Sequence, residues 1–304
     1  MFRRLLLPLD GSRLAEAVLP IAVYFAERFH ATLVLFHALE QAPPATVHGQ
    51  RHLMQADEAR VYLKEVEARI ARPGLTVERD VHPAREEDVA GSILEHVGEL
   101  DSDLVVLCAH GRGGLRDVLI GSLAQQVISR GATPVLFVRP RDIGAAGSSV
   151  PYITRKILVP LDSAPVHEPA LPVAEQVAQA TGAALHLVTV VPTTGTLKGE
   201  RAATGMLLPA TTTAVLELAQ RGAIEYLQQM TAHLLAQGLP ATATVARGDP
   251  PAAIINEAGR VHADLIVMAT HGRQSFDAFW SGSVTPKVLS KTNVPVLLVR
   301  VMGG

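Results

Sequence analysis

LLLPLDGS at residues 5–12 returns as ILVPLDSA at residues 157–164, and HGR at 110–112 returns at 271–273. A motif pair repeated in one order marks two copies of a single unit, which also suits a chain of 304 residues, long for one domain. The first pair is offset by 152 positions (157 minus 5) and the second by 161 (271 minus 110), so the second copy carries a net nine extra residues between them. That length is expected in a surface connection. TTGTLKGERAATGMLLPATTT at 193–213 shows neither strand nor helix period, and its counterpart QAPPATVHGQ at 41–50 is shorter. Between the copies, RDIGAAGSSVPY at 141–152 has the small, polar composition of a linker, which predicts domains at 1–140 and 153–304.

Outward from the repeat, short apolar runs alternate with helix-like segments. The first copy gives LLLPL, TLVLFHAL, LTVERDV, DLVVLCA and PVLFV; the second gives ILVPL, ALHLVTVV, ATATVA, DLIVMAT and PVLLV. Near-continuous Val, Ile and Leu in several runs predicts a parallel sheet covered by helices on both faces, an α/β doubly wound domain in each copy. Pro20 and Pro172, again 152 apart, mark a first helix that starts near the proline or is kinked by it. Such folds take ligands beyond the carboxyl ends of the strands, at the switch point of strand order, which narrows the search for a site.

Composition excludes several classes. A formal net charge of −2 leaves no basic face for nucleic acid, and the longest apolar stretch, AVLPIAVYFA at 17–26, is too short to span a bilayer. The start MFRRLLLPLD is cut short by Asp10 before it reaches signal-peptide length, so a cytoplasmic protein without a membrane partner is expected. The single cysteine, Cys108, lies in an apolar run and reads as a small buried residue. No His, Cys or carboxylate cluster has zinc spacing, so any metal would be Mg²⁺ or Mn²⁺ brought by a phosphate ligand.

At the strand ends, Asp10 and Asp162 close the first strand of each copy. Each is open to two readings, a ligand contact or a cap on the following helix. The fourth strand runs into AHGRGGLRDVLIGS at 109–122 in one copy and THGRQSFDAFWSGS at 270–283 in the other. Both share a frame: Gly111, nine residues, then Gly121-Ser122, and Gly272, nine residues, then Gly282-Ser283. Glycine lets backbone N–H groups approach an anion, and the helix start beyond it offers unsatisfied donors with a favourable dipole, so a phosphate chain can bridge the two. The frame is neither a Walker A sequence nor GxGxxG. His110 and His271 flank the glycines without an evident acid–base partner, so no catalytic residue is assigned.

Together PLDGS and PLDSA, the strand-four HGR, the Gly-Ser ten residues after the loop glycine, and the terminal strands TPVLFVR and VPVLLVR resemble the universal stress protein family in its tandem two-domain form. The resemblance implies five-stranded parallel sheets of order 3-2-1-4-5 and, in ATP-binding members, G-x-x-G, nine residues, then G-[ST]. Here Cys108 and Ala269 stand at the first glycine of that pattern. By the resemblance, adenine and ribose would meet Pro8, Leu9, Asp10, Ala38 and Leu107, and phosphates Gly111, Arg112, Gly114, Gly121 and Ser122. The second site would use Pro160, Leu161, Asp162, Val190 and Met268, with Gly272, Arg273, Gly282 and Ser283 for phosphate. There Ser275 replaces Gly114, and Phe276, Phe279 and Trp280 are bulky enough to fill the groove, which favours the first site. The implied function is a stress-response regulator that binds ATP or a related adenine nucleotide, with or without Mg²⁺. It would act as a homodimer of the tandem chain on an unknown regulatory protein partner. The alternatives are a ligand-free interaction scaffold and a slow ATP hydrolase.

Overall fold

The computed structural model describes residues 2–40, 46–47, 50–83, 88–108, 122–140, 151–162, 168–271 and 284–301. The chain divides into two compact units, one running to Ile153 and the other beginning at Thr154.

In the first unit, β1 (Arg4–Pro8), β2 (Thr32–Leu39), β5 (Thr76–Pro83), β6 (Leu104–Cys108) and β7 (Val135–Val138) form one parallel sheet. Its order is β5-β2-β1-β6-β7. A two-residue hairpin, β3 (Thr46–Val47) with β4 (Gln50–Arg51), stands apart from it. The helices are α1 (Leu19–Phe29), α2 (Ala56–Ile70), α3 (Val89–Glu99) and α4 (Ser122–Arg130). The second unit repeats the sheet as β10-β9-β8-β11-β12, from β8 (Lys156–Pro160), β9 (Ala184–Val191), β10 (Ala241–Arg247), β11 (Leu265–His271) and β12 (Val296–Val301). Its helices are α5 (Ala170–Thr181), α6 (Glu200–Leu207), α7 (Pro209–Ala236), α8 (Pro250–Arg260) and α9 (Val284–Lys291). Both sheets have the expected order 3-2-1-4-5.

Helices on both faces explain why the central strands are apolar on both sides: Leu5, Leu6 and Leu7 in β1, and Ile157, Leu158 and Val159 in β8, have no exposed surface. Pro20 lies in the first turn of α1, where its missing N–H costs no bond, and Pro172 is the third residue of α5, so both helices start near the proline. An aspartate before the fourth strand registers the first strand in each unit. Asp103 accepts the N–H groups of Arg3 at 2.8 Å and Arg4 at 3.1 Å, and Asp264 accepts those of Arg155 at 2.8 Å and Lys156 at 3.0 Å. Charge-assisted bonds of this kind pin two strands whose order in sequence gives them no local reason to meet.

The stretch 193–213 departs from expectation. It holds a 3₁₀ turn at Thr194–Thr196, all of α6 and the start of α7, a helix of 28 residues. Local signals set these boundaries: a capping box between Thr193 and Thr196, and Pro209 at the first position of α7. The helix is sustained by packing of Leu216 and Ala223 on Val191, with Leu197 and Val245 beside them, which overrides the low helix propensity of the threonine run.

Candidate functional site

In the first unit the strand order reverses between β1 and β6, and the chain leaving β1 builds a tight polar turn there. Leu9 N–H donates to the Phe36 carbonyl at 2.8 Å, which keeps the chain against β2 one residue past the strand. Asp10 Oδ1 then accepts Ser12 N–H at 2.8 Å, a turn closed by a side chain. Ser12, fully buried, caps the next segment by accepting Ala15 N–H on its Oγ at 3.1 Å. The cap at this corner is therefore Ser12, while Asp10 shapes the turn before it. Gly11 sits at φ +87°, and a Cβ there would fall 2.9 Å from the Leu53 side chain, so glycine is required on both counts.

The turn is backed by residues that the sequence reading passed over. His37, almost fully buried on β2, donates from Nδ1 to the Leu9 carbonyl at 2.7 Å; burial holds its pKa below the usual histidine value. Gln50 of the small hairpin accepts Arg13 N–H at 2.7 Å. Cys108, at the end of β6, is buried, and burial with the nearby Asp10 carboxylate pushes its thiol up to about 12. It is a packing residue and no nucleophile at neutral pH.

Pro8, Asp10 and Ala38 are partly exposed on this carboxyl edge, whereas the side chains of Leu9 and Leu107 lie in the core, so what these two offer a ligand is main chain. Gly111, Arg112, Gly114 and Gly121 lie outside the described residues; Ser122 is the first residue of α4. In the second unit Leu161 N–H donates to the Val188 carbonyl at 2.8 Å, matching Leu9. Asp162 is exposed, Pro160, Val190 and Ala269 are partly so, and Leu161 and Met268 are buried. Gly272, Arg273, Gly282 and Ser283 lie outside the described residues.

Helix two contributes a further duplicated feature. Tyr62 on α2 brings its hydroxyl into a buried position near Asp10 and Glu16, and Glu16 is held by Arg69 at 2.8 Å. Tyr226 on α7 donates to Glu168 Oε1 at 3.2 Å, with Asp162 nearby. Burial, reinforced by these carboxylates, raises both phenols above the ordinary tyrosine value. The signal was present as ARVYL at 59–63 and AIEYL at 223–227, each with a buried alanine and leucine, but this pair is offset by 164 (226 minus 62), so the offsets of 152 and 161 hid it.

Among the described residues no group of three or more His, Cys, Asp or Glu side chains is arranged to hold a metal, and no helix is long and apolar enough to cross a membrane.

Comparison with known proteins places this architecture. The model of the universal stress protein family matches residues 1–139 and again 154–300. A universal stress protein of Mycolicibacterium smegmatis is 27% identical over 313 residues, spanning 97% of this chain and 96% of that protein. A single-copy universal stress protein of Bacillus subtilis is 27% identical over 151 residues, 46% of this chain and 100% of its own length. Among solved structures, a universal stress protein of Archaeoglobus fulgidus aligns with a TM-score of 0.68 at 18% identity, covering 98% of this chain and 96% of that one. With both halves matched and the fold shared end to end, the chain belongs to the universal stress protein family, in its tandem form.

Proposed function

We propose that this chain is a stress-response regulator that binds ATP or a related adenine nucleotide at the carboxyl edge of its first unit. What carries the reading is that Pro8, Leu9, Asp10, Ala38, Leu107 and Cys108 share one edge at the switch point between β1 and β6, where doubly wound folds take their ligands. Main-chain groups and a carboxylate there suit the amino and hydroxyl groups of a nucleoside. The glycine frame from Gly111 to Gly121-Ser122, followed directly by α4, suits phosphate. Any Mg²⁺ would arrive with the phosphates, as a hard cation held by oxygen ligands. Asp10 Oδ1 is held by its turn, which orients the carboxylate toward a ligand, and the reading asks for affinity and conformational change without assigning a catalytic residue.

Mass spectrometry of small molecules released from the gently purified chain, with calorimetric titration of ATP, tests this. A bound adenine nucleotide, and ATP binding that Gly121→Ala abolishes, are expected. Empty protein with no heat of binding at millimolar ATP overturns the proposal.

A further inference from the structure

The third strand of each sheet is an edge, and the two edges are finished differently. β5, TVERDVHP, carries Glu78, Arg79 and Asp80 in succession, the charged guard that keeps an open ladder from pairing with other chains. β10, ATATVAR, carries no charge before Arg247 and no proline, and it lies at the end of its sheet. Its free ladder can be read directly. The Pro240 carbonyl accepts Leu185 N–H at 2.8 Å and Gly248 N–H donates to Val191 at 3.1 Å, so the even-numbered residues point their main-chain groups at β9. Ala241, Ala243, Val245 and Arg247 therefore turn theirs outward, and no described residue pairs with them. Above this edge lies a groove of about 410 Å³ between α7 and β10, walled by Ile224, Leu227, Leu235, Ala243 and Val245, in which the Thr231 hydroxyl is buried without a partner.

We infer that β10 is an interaction surface that pairs, antiparallel and two-fold symmetric, with β10 of a second copy of the chain. One register uses every free group. Centred on Thr244, it sets Ala241 opposite Arg247 of the second copy and Ala243 opposite Val245, so all four outward residues form reciprocal hydrogen-bonded pairs. The charges allow it, because the only charged side chain on the strand faces an alanine. On the other face Arg260 reaches Thr244 at 3.2 Å but is already neutralised by Glu257 at 2.6 Å. The small side chains of Ala243 and Val245 let an added strand seat beneath Ile224 and Leu235, which are 40% and 54% exposed. A seven-residue strand spans roughly 23 Å. With the α7 rim, the contact covers on the order of 500 Å² per copy, below the ~800 Å² per partner of a standard stable complex, so a concentration-dependent dimer is the expected form.

Sedimentation of the full chain from micromolar to sub-millimolar concentration tests the inference, with the mass expected to rise from one chain to two. Ala243→Pro removes an outward N–H that β9 does not use, and is expected to weaken dimerisation at least tenfold while leaving the circular dichroism unchanged. Ala243→Lys serves the same purpose should the proline variant fail to fold. Thr244→Cys lies on the two-fold axis, where facing Cα atoms are about 4.5 Å apart. It is expected to cross-link two chains under oxidation, with Cys108 buried and unable to substitute for it. A chain that stays monomeric overturns the inference, as does a dimer that both Ala243 variants leave intact or that Thr244→Cys fails to cross-link.

Discussion

In the first unit the groove between α2 and β5 is lined by Arg60, Glu67, Glu78, Arg79 and Asp80; in the second, the corresponding groove between α7 and β10 is lined mostly by aliphatic side chains. The contrast continues into the layer beneath. Register pairs Val34 with Glu78 and Phe36 with Asp80 in one sheet, and His186 with Thr242 and Val188 with Thr244 in the other, so Thr242 and Thr244 hold the places of Glu78 and Asp80. The facing helix position is His96 in α3 and Glu257 in α8. His96, buried, donates from Nδ1 to the Ser92 carbonyl at 2.7 Å and packs against Phe36 at a tilt and His82 edge-on, with Asp80 at 3.9 Å and Glu99 at 3.5 Å. Glu257 bonds His186 at 2.8 Å and Arg260 at 2.6 Å, and is held at about 2, first by Arg260. Acid and base have exchanged between helix and surroundings. One backbone accepts either arrangement provided the buried polar group has a partner within reach; the unit with its acid in the helix layer, Glu257, has none on its edge strand β10.

The sharpest way to break the comparison is to remove the helix member of each network. Glu257→Ala strands buried His186 without its acceptor and is expected to cost about 3 kcal/mol, read from urea unfolding with hydrogen exchange on α8 and β9. His96→Ala removes a ring whose Nε2 makes no hydrogen bond to its carboxylate neighbours, and is expected to cost about 2 kcal/mol through lost packing and the lost bond to the Ser92 carbonyl. A larger loss for His96 would mean that the two networks are not alternatives of one design.

Next in size, Asp103→Ala and Asp264→Ala test what the units share. Each deletes a strand clamp and is expected to cost about 1–2 kcal/mol, nearly the same in both, with faster exchange of the Arg3–Arg4 or Arg155–Lys156 amides. Strongly unequal effects would show that the clamp matters in one unit only.

Acid should separate the units. His37 is buried with its pKa lowered, so below about 6.5 the unfolded chain binds a proton that the folded first unit resists, and stability falls with pH from there. Glu257, depressed to about 2, gives the second unit a contribution that is complete above about 4.3 and is lost only as pH drops toward 2. Hydrogen exchange across this range is expected to show earlier opening around β1 and β2 than around β8 and β9, and His37→Gln should flatten the decline.

The smallest effects belong to the helix-two tyrosines. Tyr226→Phe loses the bond to Glu168 and is expected to cost about 1 kcal/mol, while Tyr62→Phe, whose hydroxyl makes no hydrogen bond of ordinary geometry, should be close to neutral. Thermal melts of the two variants measured side by side suffice to rank them.

Much of this architecture was legible in the residues. TLVLFHAL and ALHLVTVV coincide with β2 and β9 end to end, because buried parallel strands need unbroken apolar runs that helices rarely supply with flanking turns. The strand-one turn was legible as a place but not as a mechanism. Asp10 and Ser12 both suit a cap, and only the observed bonds assign the turn to one and the cap to the other. The stretch 193–213 misled because its Thr, Gly and Ala content argues locally for a loop, while its helices are sustained by contacts with Val191 and Val245 from other parts of the chain. His37, Tyr62 and Tyr226 were missed because an isolated His or Tyr in an apolar segment reads as core until its partner, 28 to 58 residues away in sequence, is known.

The sequence by itself determined that this protein is a doubled α/β unit with an aspartate closing each first strand, since duplication and hydrophobic period are properties of neighbouring residues. The charges of TVERDVHP and their absence from ATATVA were legible too, but tertiary structure alone decided which main-chain groups those edge strands leave free and what surrounds each buried acid or base. That outcome depends on strand register and on which distant side chain arrives opposite each buried charge, and neither is written in any local stretch of the chain.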